Sequence, residues 1–117
     1  MNSQKQIIGF NDIIFTPLEI SNLCEMISEI TMTDYCGTIH MSSDISISKY
    51  QFMLTVADIF DLDKNLIKEG TSEDLKLIAK RPKNLTLSNL KAKRKIKTPV
   101  IPIKESLNKM KKELLSE

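Results

Sequence analysis

Ile47-Ser48-Lys49-Tyr50-Gln51-Phe52-Met53-Leu54-Thr55-Val56-Ala57-Asp58-Ile59-Phe60-Asp61 is the stretch that decides the fold class. Ser48 followed three residues later by Gln51 is a capping box, the side-chain pattern that opens a helix. Phe52, Val56, Ile59 and Phe60 then recur at helical spacing as a buried stripe that should stop near Asp61. Just upstream, Thr38-Ile39-His40-Met41 is short, partly β-branched and bounded by Gly37 and Ser42, so it reads as a buried strand. A strand feeding an amphipathic helix predicts an α/β fold.

Further upstream, Ile7-Ile8-Gly9-Phe10 is an extended apolar run, and Asn11-Asp12 turns the chain into Ile13-Ile14-Phe15. Pro17 disfavours helix at Thr16 and suits the first turn after it. Ile20, Leu23, Cys24, Ile27 and Ile30 then form one face of an amphipathic helix over about 18–32. Downstream of the deciding stretch, Asp63 to Leu66 predicts one further turn and Leu66-Ile67-Lys68 a short strand. Thr71-Ser72-Glu73-Asp74 resembles the cap of a brief helix, and Arg81-Pro82 a loop. Leu85 and Leu87 alternate with polar residues, and Ser88 is placed to cap a helix reaching Lys95. A proline-bearing linker, 98–102, precedes a final helix with Ile103, Leu107, Met110 and Leu114 at helical spacing. The expectation is a single α/β domain over residues 1–117, rich in helix, around a small, partly parallel sheet.

Bulk composition excludes several function classes. The 117 residues are 41% hydrophobic and 27% charged, which is ordinary globular usage. Net charge is +2, too little to imply nucleic acid, and the 5% aromatic content with no Trp offers few stacking platforms. The run Lys91-Ala92-Lys93-Arg94-Lys95-Ile96-Lys97 reads as a solvated helix face with Leu90 and Ile96 turned inward. Cys24, Cys36 and the lone His40 lack metal-ligand spacing, so no metal is expected and the thiols read as reduced. His40, inside an apolar segment, reads as a core or rim residue. Asp58, Asp61 and Asp63 lack the Gly and terminal Glu of a calcium loop. Ser48 has no base nearby in sequence and is a cap rather than a nucleophile. No stretch of about eighteen apolar residues spans a bilayer, and a cytoplasmic protein is expected.

Four segments in this order resemble the end of the dTDP-4-dehydrorhamnose reductase family, which is of the extended short-chain dehydrogenase type. They are Phe15-Thr16-Pro17 with the helix after it, Gly37 to Ser42, Ile47 to Asp63, and Lys80-Arg81-Pro82-Lys83-Asn84-Leu85-Thr86-Leu87 with the two helices that follow. The resemblance covers about residues 5–115. It implies the smaller, C-terminal substrate-binding part of an enzyme whose other part is a dinucleotide-binding Rossmann domain. Complete members reduce a nucleotide-linked keto-deoxysugar with NADPH or NADH, using Tyr-x-x-x-Lys and a Gly-rich turn.

Neither motif occurs in these 117 residues. Gly9, Gly37 and Gly70 are isolated, while Tyr35 and Tyr50 are followed four residues later by Ile39 and Leu54. The chain is therefore expected to hold no catalytic or cofactor-binding residue of its own. For a dTDP-linked deoxysugar, the resemblance points to Arg81, whose guanidinium can meet a diphosphate with paired hydrogen bonds while Pro82 stiffens its backbone. It also points to the Thr16-Pro17 loop, where Thr16 offers a hydroxyl. Asp12 is followed here by Ile13, where many relatives carry Gln. Two readings stay open: a substrate-binding part of a reductase, or a non-catalytic binding or regulatory subunit. The second has precedent in relatives that regulate other enzymes, methionine adenosyltransferase among them. Ile7, Ile8, Phe10, Ile13, Ile14 and Phe15 are the expected exposed apolar face for self-association or for a separate Rossmann-bearing chain.

Overall fold

A computed structural model describes residues 5–74, 79 and 82–115. Strand β1 (Ile7–Phe10) pairs in parallel with β4 (Ile67–Gly70), Ile7 opposite Ile67 and Phe10 opposite Gly70. A second sheet of three short strands places Ile14–Phe15 between Ile47–Ser48 and Asn84–Leu85. Its centre, β2 (Ile14–Phe15), runs antiparallel to β3 (Ile47–Ser48) and parallel to β5 (Asn84–Leu85). Four helices complete the fold: α1 (Ile20–Thr31), α2 (Lys49–Ile59), α3 (Leu90–Lys95) and α4 (Ile103–Leu115). The fold is α/β with small, partly parallel sheets, as the sequence predicts.

Helix α2 is the hub, packing on β1, β4, β3 and α4. Ser48 caps it by accepting the Gln51 N–H at 3.1 Å. It ends at Phe60, and Asp61 takes a left-handed conformation (φ 55°). Gly9 lets β1 lie directly against the start of this helix. A Cβ there would stand 3.1 Å from the Tyr50 Cα and 3.1 Å from the Met53 sulfur. Asp63 caps the expected turn at Lys64–Leu66 by accepting the Asn65 N–H. The core comprises Ile13, Met26, Ala57, Ile59, Ile67, Ala92, Ile96 and Leu107.

Several expectations are corrected. Thr38–Met41 forms no strand; Thr38 and His40 are exposed, Ile39 and Met41 half-buried. His40 is thus a surface residue. The segment has the right residues for a strand, but no described strand lies alongside to pair with it. Pro17 is not in the first turn of α1, which opens at Ile20 with the Glu19 carboxylate accepting the Ser21 and Asn22 N–H groups. Asn89, not Ser88, precedes α3, and its side chain is turned elsewhere: the amide donates to Ser42 O and Asp44 Oδ1. Leu90 is exposed, while Ile96 is buried as expected.

The largest correction concerns apolar surface. Ile13 is only 3% exposed, and Ile7, Phe10, Ile14 and Phe15 are half-buried, leaving Ile8 alone of the six at the exposed level. The first strands are covered because α2 packs across them. Helix α1 does the reverse. It buries Asn22 and Met26, and turns Ile20, Cys24 and Ile27 toward solvent.

Candidate functional site

The site lies where β2 and β5 end. Both strands run in the same direction, so the segments that leave them, Thr16-Pro17 and Thr86-Leu87, emerge at one edge. Carboxyl ends of parallel strands are where α/β folds present ligand-binding loops, because the chain must leave the sheet there. The Ile14 N–H donates to Lys83 O at 2.9 Å, which holds the residues after Arg81-Pro82 beside the Phe15-Thr16-Pro17 loop. Thr16 Oγ1 accepts the Leu87 N–H at 3.3 Å. Thr16 O accepts the Ser43 N–H at 3.5 Å, and Ser42 Oγ donates to Leu87 O at 3.2 Å. Three remote stretches are thereby laced together. Pro17 is buried under the loop.

The structure therefore brings together two of the expected elements, the Thr16-Pro17 loop and the segment that follows Arg81. Arg81 itself lies outside the described residues. Pro82 is exposed. Thr16 has a structural duty in accepting from Leu87, and its hydroxyl proton can still be donated to a ligand oxygen.

Sequence reasoning missed two cations here. The Lys49 ammonium stands 4.9 Å from the centroid of the Phe15 ring, and Phe15 meets Phe52 edge-on at 5.4 Å. Lys49 is the first residue of α2, where a cation opposes the helix dipole; that mismatch was the available signal. Lys83 lies 4.0 Å from Asp12 and 3.5 Å from Glu73. Partial burial pushes the Asp12 carboxyl up, but the Ser72 hydroxyl and N–H, with Lys83, hold it below the ordinary Asp value. Asp12 is thus an anion that anchors the Ser72 turn and partly neutralises Lys83.

A cleft of about 180 Å³ opens on the far side of β3, among Asp44, Ile45, Ile47, Val100, Pro102 and Ile103. It is smaller than the roughly 300 Å³ at which pockets for drug-sized ligands begin. Its walls are mainly apolar; Ser43 also lines it, with its hydroxyl donated to Ile45 O, and Lys104 brings one ammonium to its rim. Among the described residues no cluster of His, Cys, Asp and Glu could hold a metal.

The glycines do not fit a dinucleotide phosphate turn. Gly9 is sealed against α2, Gly37 sits in an exposed bend at φ 123°, and a Cβ on Gly70 would meet Ile8 and Asp74. No step involving a nicotinamide cofactor is assigned to these residues. The basic run is partly engaged within the chain: Lys91 donates to Thr38 O, Lys93 pairs with Asp44, and Lys91 and Lys95 approach the Tyr35 ring. No described helix is long and apolar enough to cross a membrane.

A loop-lined edge of paired parallel strands, with hydroxyl and cationic side chains, defines the class as an α/β ligand-binding domain. Residues 1–116 match the RmlD substrate binding domain, and the chain belongs to that family. Among solved structures, it superposes on a dTDP-4-dehydrorhamnose reductase from Bacillus anthracis, determined in complex with NADP. The TM-score is 0.81 at 21% identity, over 96% of this chain and 39% of that one. The reductase from Clostridium acetobutylicum gives 0.80 at 23%, over 97% and 40%. That from Yersinia enterocolitica gives 0.75 at 20%, over 92% and 38%. At these identities the likeness shows the fold, and the chain spans about two-fifths of each relative's length. No curated protein matches it in sequence.

Proposed function

We propose that this chain is the nucleotide-sugar-binding part of a dTDP-4-dehydrorhamnose reductase-like enzyme acting in the cytoplasm on precursors of cell-surface polysaccharide. The observation that supports this most directly is the lacing of the Thr16-Pro17 loop to the segment that follows Arg81-Pro82 at the ends of β2 and β5. Arg81 grips the diphosphate, Lys49 adds positive charge near Phe15, and Thr16 donates its hydroxyl to the sugar or phosphate. Pro17 fixes the loop. The hydride comes from NADPH or NADH held outside these residues, which by themselves carry no Tyr-x-x-x-Lys relay. In this reading the chain orients the 4-keto sugar and does not reduce it alone. The alternative is a non-catalytic regulatory subunit built on the same fold.

The deciding experiment is the thermal unfolding midpoint with and without a dTDP-linked deoxysugar. Ligand at a hundred times its dissociation constant stabilises the folded form by about 2.7 kcal/mol. The reading expects an upward shift, abolished in Arg81→Ala and reduced in Thr16→Val. No shift at millimolar ligand argues for the regulatory alternative, and an undiminished shift in Arg81→Ala removes Arg81 from the site.

A further inference from the structure

The cleft behind β3 has two walls, and both are fastened from outside it. On one side Ser43 donates its N–H to Thr16 O and its hydroxyl to Ile45 O. Beside it, Asp44 Oδ1 accepts from the Asn89 amide at 2.8 Å and the Lys93 ammonium at 3.0 Å. On the other side Asn22 holds Pro99 O and the Ile101 N–H, which fixes Val100 between them. Walls set independently of their contents spare a ligand the cost of ordering them. Ile45, Ile47, Val100 and Ile103 supply the apolar lining. The space, about 180 Å³, is slightly larger than the roughly 150 Å³ that takes a benzene ring inside a protein.

Polar groups gather at one end of this cleft, the start of α4. Lys104, in the first turn, lines the cleft and enters no ion pair among the described residues. The first N–H groups of a helix lack partners within it and favour an anion. Pro102, just before α4, also lines the cleft and has no side-chain acceptor to cap them. Ser106 is 3% exposed, and its hydroxyl has no hydrogen-bond partner among the described residues. It follows Ile103 by one turn, on the same side of the helix. Helix side chains tilt toward the N-terminus, so this hydroxyl is directed at the turn where the cleft opens. Two carboxylates stand nearby. Asp44 is matched by Lys93, and Glu105, though in the first turn, is exposed and does not line the cleft.

We propose that this cleft binds a small monocarboxylate with a compact apolar body. The carboxylate lies at the start of α4 against Lys104 and Ser106, and the body among Ile45, Ile47, Val100 and Ile103. Apolar burial drives entry, and the charge-assisted bond to Lys104 selects the anion. The cleft is too small for a nucleotide sugar, so it is a second site, separate from the ends of β2 and β5.

The test titrates the 117-residue chain with benzoate, benzyl alcohol and acetate, followed by calorimetry and by amide NMR. Benzoate should saturate and shift the amides of residues 43–47 and 100–106. It should bind about tenfold tighter than benzyl alcohol, which lacks the charge, and than acetate, which lacks the body. Lys104→Gln, an exposed substitution, should weaken benzoate about fivefold and leave the thermal midpoint unchanged. Ser106→Ala should weaken it about threefold without lowering that midpoint, because the hydroxyl has no partner to lose. Val100→Phe fills the cleft and should abolish binding; where it does not fold, Lys104→Gln decides. Acetate binding as tightly as benzoate would reduce the site to an ion spot, and benzyl alcohol doing so to an apolar crevice; either overturns the proposal. So would indifference to Lys104→Gln, amide shifts elsewhere in the chain, or no saturation at tens of millimolar benzoate. Displacement of benzoate by a dTDP-linked deoxysugar would make the cleft part of the sugar site and overturn its assignment as a second one.

Discussion

Asn22 of α1 is bonded through its side chain to the backbone of Ile101, 79 residues later: Oδ1 accepts the Ile101 N–H at 2.9 Å. The same amide donates to Pro99 O, also at 2.9 Å, so one side chain 2% exposed satisfies two backbone groups of the strap before α4. The neighbouring Glu29 carboxylate receives the Thr98 hydroxyl and the Thr98 and Lys97 N–H groups. Residues 98–102, expected as a linker, are irregular in backbone and fastened to α1.

Asn22→Ala strands buried polar groups on that strap. Each stranded group costs about 1–3 kcal/mol, so the variant, which strands two, should lose about 2–6 kcal/mol. Equilibrium urea unfolding measures the loss as a lower midpoint. Asn22→Asp keeps the acceptor for Ile101 and should lose less near pH 4 than at pH 7, where its charge faces Pro99 O.

Acid should unfold the chain through its held carboxylates. Glu29 is lowered first by the Thr98 hydroxyl and then by the Lys97 N–H, and Asp44 by Asn89 and Lys93. Asp12 is lowered despite partial burial. In the unfolded chain these groups titrate near their ordinary values, 3.8 for Asp and 4.5 for Glu. Between those values and the lower folded ones the unfolded state binds more protons, so stability falls as pH drops. It is fully present above about pH 5 and declines progressively as pH falls through the unfolded values to the lower folded ones. Glu29→Gln should flatten this acid limb in a series of thermal midpoints from pH 3 to pH 7.

Gly9→Ala should weaken the β1–α2 contact. The added methyl meets the Tyr50 backbone at 3.1 Å, and a backbone atom cannot swing aside as a side chain can. Overpacking of this kind costs about 1–3 kcal/mol. The comparison with wild type in chemical denaturation should show a lower midpoint with an unchanged slope.

Ser48→Ala removes the acceptor for the Gln51 N–H and should cost about 1 kcal/mol. Ser48→Asp, which can accept the same hydrogen bond and adds a negative charge at the helix start, should restore wild-type stability. Thermal melts of the three proteins side by side decide it.

Local chemistry alone set the helices at α1, α2 and α4, the Asp63 turn and the cap at Ser48, because apolar spacing and a single side-chain oxygen act within one or two turns of chain. It was the family resemblance, not local chemistry, that marked Phe15-Thr16-Pro17 and Arg81-Pro82 as the elements to watch. Tertiary structure decided which faces those helices bury. Asn22 and Glu29 point inward because the 98–102 strap offers them backbone partners, and Ile20 and Ile27 point outward because no described element covers them. It also decided that Ile13 lies in the core, that Thr38–Met41 has no strand to join, and that Lys49 lies over Phe15. A strand needs a neighbour and a buried face needs a cover, and both are properties of residues far away in the chain.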